Sequence, residues 1–227
     1  FGYQGIGPSS FLLNDTYDIG TSDTRYIGRL MPPPKSVAVT EAGFWPDGII
    51  RAIWLAYGAD GVGFIYAAGG TKCAKVRISD SILSDSFTFL SGTVAGRPAA
   101  YTPSSAGLVA ARWYLPMGAG QRFYELTTVA NNGIADTWTR ADAGLEATAF
   151  CVGFSGGAGS AISTSLKLVR GDSWGQVSLA SVTPTTSANW GSNYQMGTVG
   201  QPITGLVRMG DANVYVAKSD GLYIIAY

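Results

Sequence analysis

The sequence predicts an all-β protein. Short runs rich in β-branched and aromatic residues recur along the chain, Gly-Gly, Gly-Asp and Asp-Gly pairs separate them, and almost nowhere does a helical period emerge. With 31 glycines in 227 residues, a turn former is at hand for nearly every reversal. Consecutive antiparallel meanders with Gly-rich turns favour a β-propeller-like array. A β-sandwich with Greek-key crossovers is the alternative, because the composition suits it as well. The meanders start at irregular spacings, some near the roughly 40–50 residues of a propeller blade and others longer.

Residues 1–40 stand apart. They hold Gly2, Gly5, Gly7, Pro8, Gly20, Gly28 and the run Pro32-Pro33-Pro34, which enforces extended polyproline backbone. They are read as an extended arm that packs on its own domain or on a neighbour, since Phe11, Leu12, Leu13 and Tyr17 favour burial. The β region spans residues 41–227. Residues 49–57 form a strand, 58–61 a turn, 62–67 a return strand, and Gly69-Gly70 turns into 72–78, where charges alternate with apolar positions. This is a three-stranded meander. Residues 81–90, with Ile82, Leu83, Phe87 and Leu90, fit either one or two helical turns or a further strand.

Residues 108–115, a turn at 117–120 and residues 121–129 read as a hairpin, followed by Asn131-Asn132-Gly133 and a strand at 135–140. Residues 146–154 and 161–170 make another hairpin around a Gly-rich loop, and 175–182 follows a Gly171-Asp172 turn. The chain closes with strands at 203–209, 213–218 and 222–227, joined by Gly210-Asp211 and Asp220-Gly221. It stops inside the last strand, so the domain is expected to be incomplete at its C-terminus. Because it begins at Phe1 with no signal-peptide pattern, it is read as a processed product or part of a longer chain.

Composition removes several function classes. Fifteen basic and fifteen acidic residues balance, which gives no electrostatic case for nucleic acid or an anionic membrane. No apolar run approaches the roughly 20 residues of a bilayer span. The chain has no histidine, hence no Ser-His-Asp triad, Cys-His pair or His-based metal site. Cys73 and Cys151 lie far apart without metal-ligand spacing and read as two buried thiols; a disulfide between neighbouring strands is the other option.

A few residue groups invite a functional reading. Asp136, Asp142 and Glu146 lie close to Trp138 and Arg140, the carboxylates and aromatic platform that a glycan site would use. The structural reading is favoured: Asp136 and Asp142 in turns, Trp138 in the core. Asp172 with Trp174, and Asn189 with Trp190, are expected to pair a turn residue with a Trp packed between sheets. Arg170-Gly171-Asp172 spells the integrin-binding tripeptide but sits where a turn is expected. Asn14-Asp15-Thr16 fits the N-glycosylation pattern, and residues 153–159 form a Gly-rich stretch with no phosphate-loop lysine after it. No residue is assigned a catalytic, cofactor-binding or metal-binding role, and no cofactor is expected.

The most specific text is the close of the chain. Ile203 to Met209, a Gly210-Asp211 turn, Asn213 to Lys218, an Asp220-Gly221 turn and Leu222-Tyr223 resemble a blade of the β-propeller domains of bacteriophage virion and tail proteins, and more loosely sialidase-like repeats. The segment 25–34, ending in Pro32-Pro33-Pro34, is similar to the Pro-rich linker before the β region of some such proteins. Ser219-Asp220-Gly221-Leu222-Tyr223 lacks the spacing and the Trp of the sialidase Asp-box, and no spacing groups three of the ten arginines. The resemblance therefore implies a structural virion component, phage tail or capsid-associated, that acts by subunit assembly without catalysis. Its partners would be other virion subunits in an oligomer, located in the extracellular particle. The alternative is a carbohydrate-binding or glycan-hydrolysing propeller at a cell surface, with glycans as partners.

Overall fold

The computed structural model describes residues 12–14, 29–31, 49–79, 83–103, 111–130, 136–154, 166–180, 182–209 and 213–226. The chain divides into two units, Phe1–Val39 and Thr40–Tyr227. In the first, β1 (Leu12–Asn14) and β2 (Arg29–Met31) pair antiparallel, with Leu13 opposite Leu30. Strands of three residues leave no period for a sequence reading to detect. Residues 32–34, Asp15 and Thr16, the turns at 131–133 and 210–211 and the loop 155–159 lie outside the described residues.

The second unit is all-β, with no α-helix among its described residues. Four antiparallel sheets are arranged like the blades of a four-bladed β-propeller. Blade 1 is β3 (Ile50–Tyr57), β4 (Gly63–Gly69), β5 (Lys72–Arg77) and β6 (Leu83–Thr88). Blade 2 takes β7 (Ala99–Tyr101) and β8 (Arg112–Leu115) and then, beyond β9 (Gly118–Arg122), β10 (Tyr124–Thr128) and β11 (Thr137–Arg140). After β12 (Glu146–Ala147), blade 3 is β13 (Ala149–Phe154), β14 (Leu166–Gly171), β15 (Gln176–Ala180) and β16 (Tyr194–Gln195). Blade 4 has three strands, β17 (Ile203–Met209), β18 (Asn213–Lys218) and β19 (Gly221–Ala226).

Within each blade, strands that follow one another along the chain lie side by side, with only β9 stepping out. That meander order is what a propeller requires and a Greek-key sandwich lacks. Two local expectations are corrected. The ambiguous stretch 81–90 contributes β6, so the first meander has four strands. The stretch 117–120 is no tight turn: Gly118 and Gly120 adopt positive φ (88° and 68°), and β9 leaves blade 2 to pair with β12, Arg122 opposite Glu146.

The blades stack in chain order. Between blades 1 and 2, Trp54, Phe64 and Tyr66 meet Leu115, Tyr124 and Leu126. The opposite face of blade 2, with Tyr101 and Tyr114, joins Phe123 and meets Phe150 and Leu168 of blade 3. The other face of blade 3, with Val169, Val177 and Leu179, meets Ile203, Val214 and Val216 of blade 4. Strand alternation places successive side chains on opposite faces, so a strand covered on both sides must be apolar at both phases. The last junction is close. A Cβ on Gly171 would lie 2.5 Å from Ile203 Cγ2, one on Gly153 would lie 2.6 Å from Val214 Cγ2, and Thr148 Oγ1 donates to the Ile203 carbonyl at 2.6 Å.

Candidate functional site

The carboxylates that sit close in sequence do not converge. Asp136 is a buried knot between blades 1 and 2. Its Oδ1 accepts from Lys75 Nζ at 2.7 Å and Ala130 N at 2.8 Å, and its Oδ2 from the Tyr66 hydroxyl at 2.7 Å. Lys75 also donates to the Ala130 carbonyl and lies 4.1 Å from the centroid of the Phe64 ring. Trp138 packs in the blade 1–2 core, stacked on Phe87 at 5.3 Å. Arg140 donates to Ser91 Oγ. Asp142 is exposed and accepts from Ser187 N at 2.9 Å, a loop tie. The expectation holds for Trp138 in the core and for Asp142 at a turn, and is corrected for Asp136, whose carboxylate is paired with Lys75 across the blade 1–2 junction.

Glu146 goes elsewhere. The β9–β12 pair and the β14–β15 turn enclose a cleft of about 330 Å³. From β9 come Gly120 and Arg122, from β12 Glu146, from β14 Arg170, from the turn Asp172 and Trp174, and from the start of β15 Gln176; Asn193 precedes β16. Glu146 Oε1 accepts from Ser173 N at 3.0 Å and Ser173 Oγ at 2.6 Å, while Oε2 accepts from Gly120 N. Asp172 Oδ1 accepts from both Trp174 N (2.9 Å) and Gln176 N (2.8 Å). Burial raises the Asp172 carboxyl above its ordinary 3.8, although these two N–H donors and Arg170 act the other way. Arg170 is 6% exposed; Nε donates to Ser178 Oγ at 3.1 Å, one terminal nitrogen donates to the Glu146 carbonyl at 3.2 Å, and the guanidinium lies 4.8 Å from the Trp190 ring. The Arg170-Gly171-Asp172 tripeptide is thus buried, closed to an adhesion receptor.

Trp174 corrects an expectation. It does not pack between sheets but is 60% exposed at the cleft. Its place in the turn explains this: Asp172 holds Trp174 N, Gly175 takes φ 82°, and the Trp174 carbonyl accepts from Gly200 N at 3.0 Å, so the backbone is fixed with the indole outside. Trp190 is half-buried as expected, with Nε1 donating to the Pro184 carbonyl at 2.7 Å, and Asn189 donates to the Thr183 carbonyl at 3.1 Å. Cys73 and Cys151 are free and sit in blades 1 and 3; burial pushes the Cys151 thiol up to about 12.

The second feature is at the two ends of the stack. On blade 1, β3 turns Ala52, Trp54 and Ala56 into the core and leaves Ile53, Leu55 and Tyr57 exposed. Register puts Leu55 beside Ile65 and Ile65 beside Val76, an apolar row across three strands. On blade 4, Val207, Tyr215 and Ile224 form the matching row, flanked by Leu222 and Met209. Ile53 is 58% exposed and Leu222 69%. No buried cluster joins blade 4 to blade 1 among the described residues. A signal for these faces was present in the sequence: residues 52–57 and 222–227 are unbroken apolar runs where a half-solvated strand would alternate. The cleft had no such signal, because Arg122, Glu146 and Trp174 meet only through pairing. No protein-family model matches this chain, and no curated protein matches it either.

Proposed function

We propose that this chain is a non-catalytic assembly domain, a structural virion component of the tail or capsid-associated kind, that joins copies of itself through the outward faces of its end blades. The observation that carries the reading is the pair of exposed apolar sheet faces on blades 1 and 4. Every internal junction of the stack sets the rear face of one blade on the front face of the next. Among the described residues, the front of blade 1 and the rear of blade 4 are the same two kinds of surface, each without its counterpart. Head-to-tail contact would bury both at once, and exposed apolar faces of this extent are disfavoured in a protein that works alone. The virion setting rests on the resemblance of the closing segment. The reading requires partner subunits and no cofactor, nucleic acid or membrane.

The test is the native mass of the full chain across a concentration series, beside Leu55→Lys and Ile224→Lys. The wild type is expected to form oligomers. Each variant is expected to weaken association at least about thirtyfold, roughly 2 kcal/mol, with unchanged circular dichroism. A wild type that stays monomeric at high micromolar concentration contradicts the proposal.

A further inference from the structure

We infer that the cleft between β9–β12 and the β14–β15 turn is a binding site for a neutral saccharide, with Trp174 as its stacking platform. This goes beyond assembly, since the cleft lies between the β9–β12 pair and blade 3 and none of its lining residues belongs to the exposed rows of blades 1 and 4.

Three properties define the ligand. The first is charge. Arg122 and Arg170 offset Glu146 and Asp172, so the cleft favours neither a phosphate, which needs an excess of positive charge, nor a metal ion, which needs an excess of negative charge. The second is hydrogen-bonding capacity. Arg122 uses Nε on the Ala141 carbonyl and Arg170 uses two of its nitrogens; their remaining donors, and the side-chain amides of Gln176 and Asn193, make no hydrogen bond with described residues. Asp172 engages only Oδ1, which leaves Oδ2 as an acceptor. A cleft with donors and acceptors side by side matches hydroxyl groups, each of which donates and accepts. The third is the indole of Trp174, large, apolar on its face and 60% exposed, on a backbone held by hydrogen bonds at Trp174 N, the Trp174 carbonyl and the Gly175 carbonyl. A sugar ring offers such a surface its C–H face while its hydroxyls point outward to the polar wall. An aromatic anchor fixed before binding loses little entropy when the ligand arrives. At about 330 Å³ the cleft lies at the small end of the range for small-molecule pockets, suited to one or two sugar rings.

The experiment titrates the full chain with neutral α- and β-linked glucose, galactose and N-acetylglucosamine oligosaccharides and follows Trp fluorescence and calorimetric heat. At least one series is expected to saturate below about 10 mM and to shift the fluorescence. Trp174→Ala is expected to weaken binding at least tenfold and abolish the shift, Trp174→Phe to retain part of both, and Asn193→Ala to weaken binding several-fold. Sulfated and sialylated versions are expected to bind no more tightly than the neutral ones. Absence of saturation by every neutral series, binding that survives Trp174→Ala unchanged, or a strong preference for the charged sugars would each overturn the inference. Leu55→Lys, which disrupts an end face, is expected to leave saccharide binding intact, so the assembly reading can fail separately.

Discussion

Asp136 shows how one side chain can join two sheets. Lys75 is buried on blade 1, and its positive charge is offset by a carboxylate carried 61 residues further along the chain. Removing one partner of a buried pair leaves the other charged and desolvated. Asp136→Ala is therefore expected to cost about 3–5 kcal/mol in urea unfolding, and Lys75→Met with Asp136→Leu far less than the single change. A cost below 1 kcal/mol for Asp136→Ala would show that the pair does not bind the blades. Asp172 behaves differently because both of its backbone donors share one oxygen. An asparagine there keeps both hydrogen bonds and loses the ionisation. A carboxyl raised by burial favours the fold while protonated, below about 3.8, and that contribution is lost as pH rises through the folded value. Asp172→Asn is thus expected to gain stability relative to wild type between pH 3.5 and pH 7, read by denaturant midpoints at each pH. A pH-independent difference would contradict the assignment. The Cys151 thiol, pushed up to about 12 by burial, is expected to resist iodoacetamide at pH 8 until the protein unfolds.

At the level of elements, strands were readable wherever one face is solvated or a turn is tight. β17, β18 and β5 follow runs that the alternation and the flanking Gly and Asp define. β9 was hidden because its glycines read as a turn, and positive φ at Gly118 and Gly120 serves an excursion of the strand instead. The place of Trp174 escapes the sequence because it depends on its N–H donating to Asp172 Oδ1 and its carbonyl accepting from Gly200 N, contacts that no local period encodes. Glu146 was singled out with the wrong neighbours for the same reason: proximity in sequence puts it with Asp142, whereas pairing puts it with Arg122. The close approach of blades 3 and 4 gives the element-scale prediction. Gly171→Ala would press a methyl into Ile203, and Gly153→Ala into Val214. Each is expected to destabilise by about 1–3 kcal/mol in thermal or urea unfolding, with the Ile203→Ala background, which removes Cγ1 and Cγ2, partly rescuing Gly171→Ala. No loss in either variant would mean that this junction is loose.

At the scale of the whole β unit, the described blades form a stack whose interior blades are covered on both faces and whose end blades are covered on one. Propeller-like arrays leave short, protected strand edges, and here the unprotected surfaces are the end faces themselves. Blade 4 has three strands where the others have four. The apolar runs at 52–57 and 222–227 specify strands covered twice, which the described structure covers once. The head-to-tail union proposed above would satisfy both. It would be heterologous, so it would either close into a ring or grow into an open chain, the two outcomes that a rotation between copies allows.

The most direct measurement mixes two blocked chains. Leu55→Lys spoils the blade 1 face and keeps the blade 4 face; Ile224→Lys does the reverse. Head-to-tail contact predicts that each variant alone is monomeric by native mass, and that an equimolar mixture forms a one-to-one heterodimer through the two intact faces. A mixture that stays monomeric, or a single variant that dimerises as well as wild type, would contradict the account.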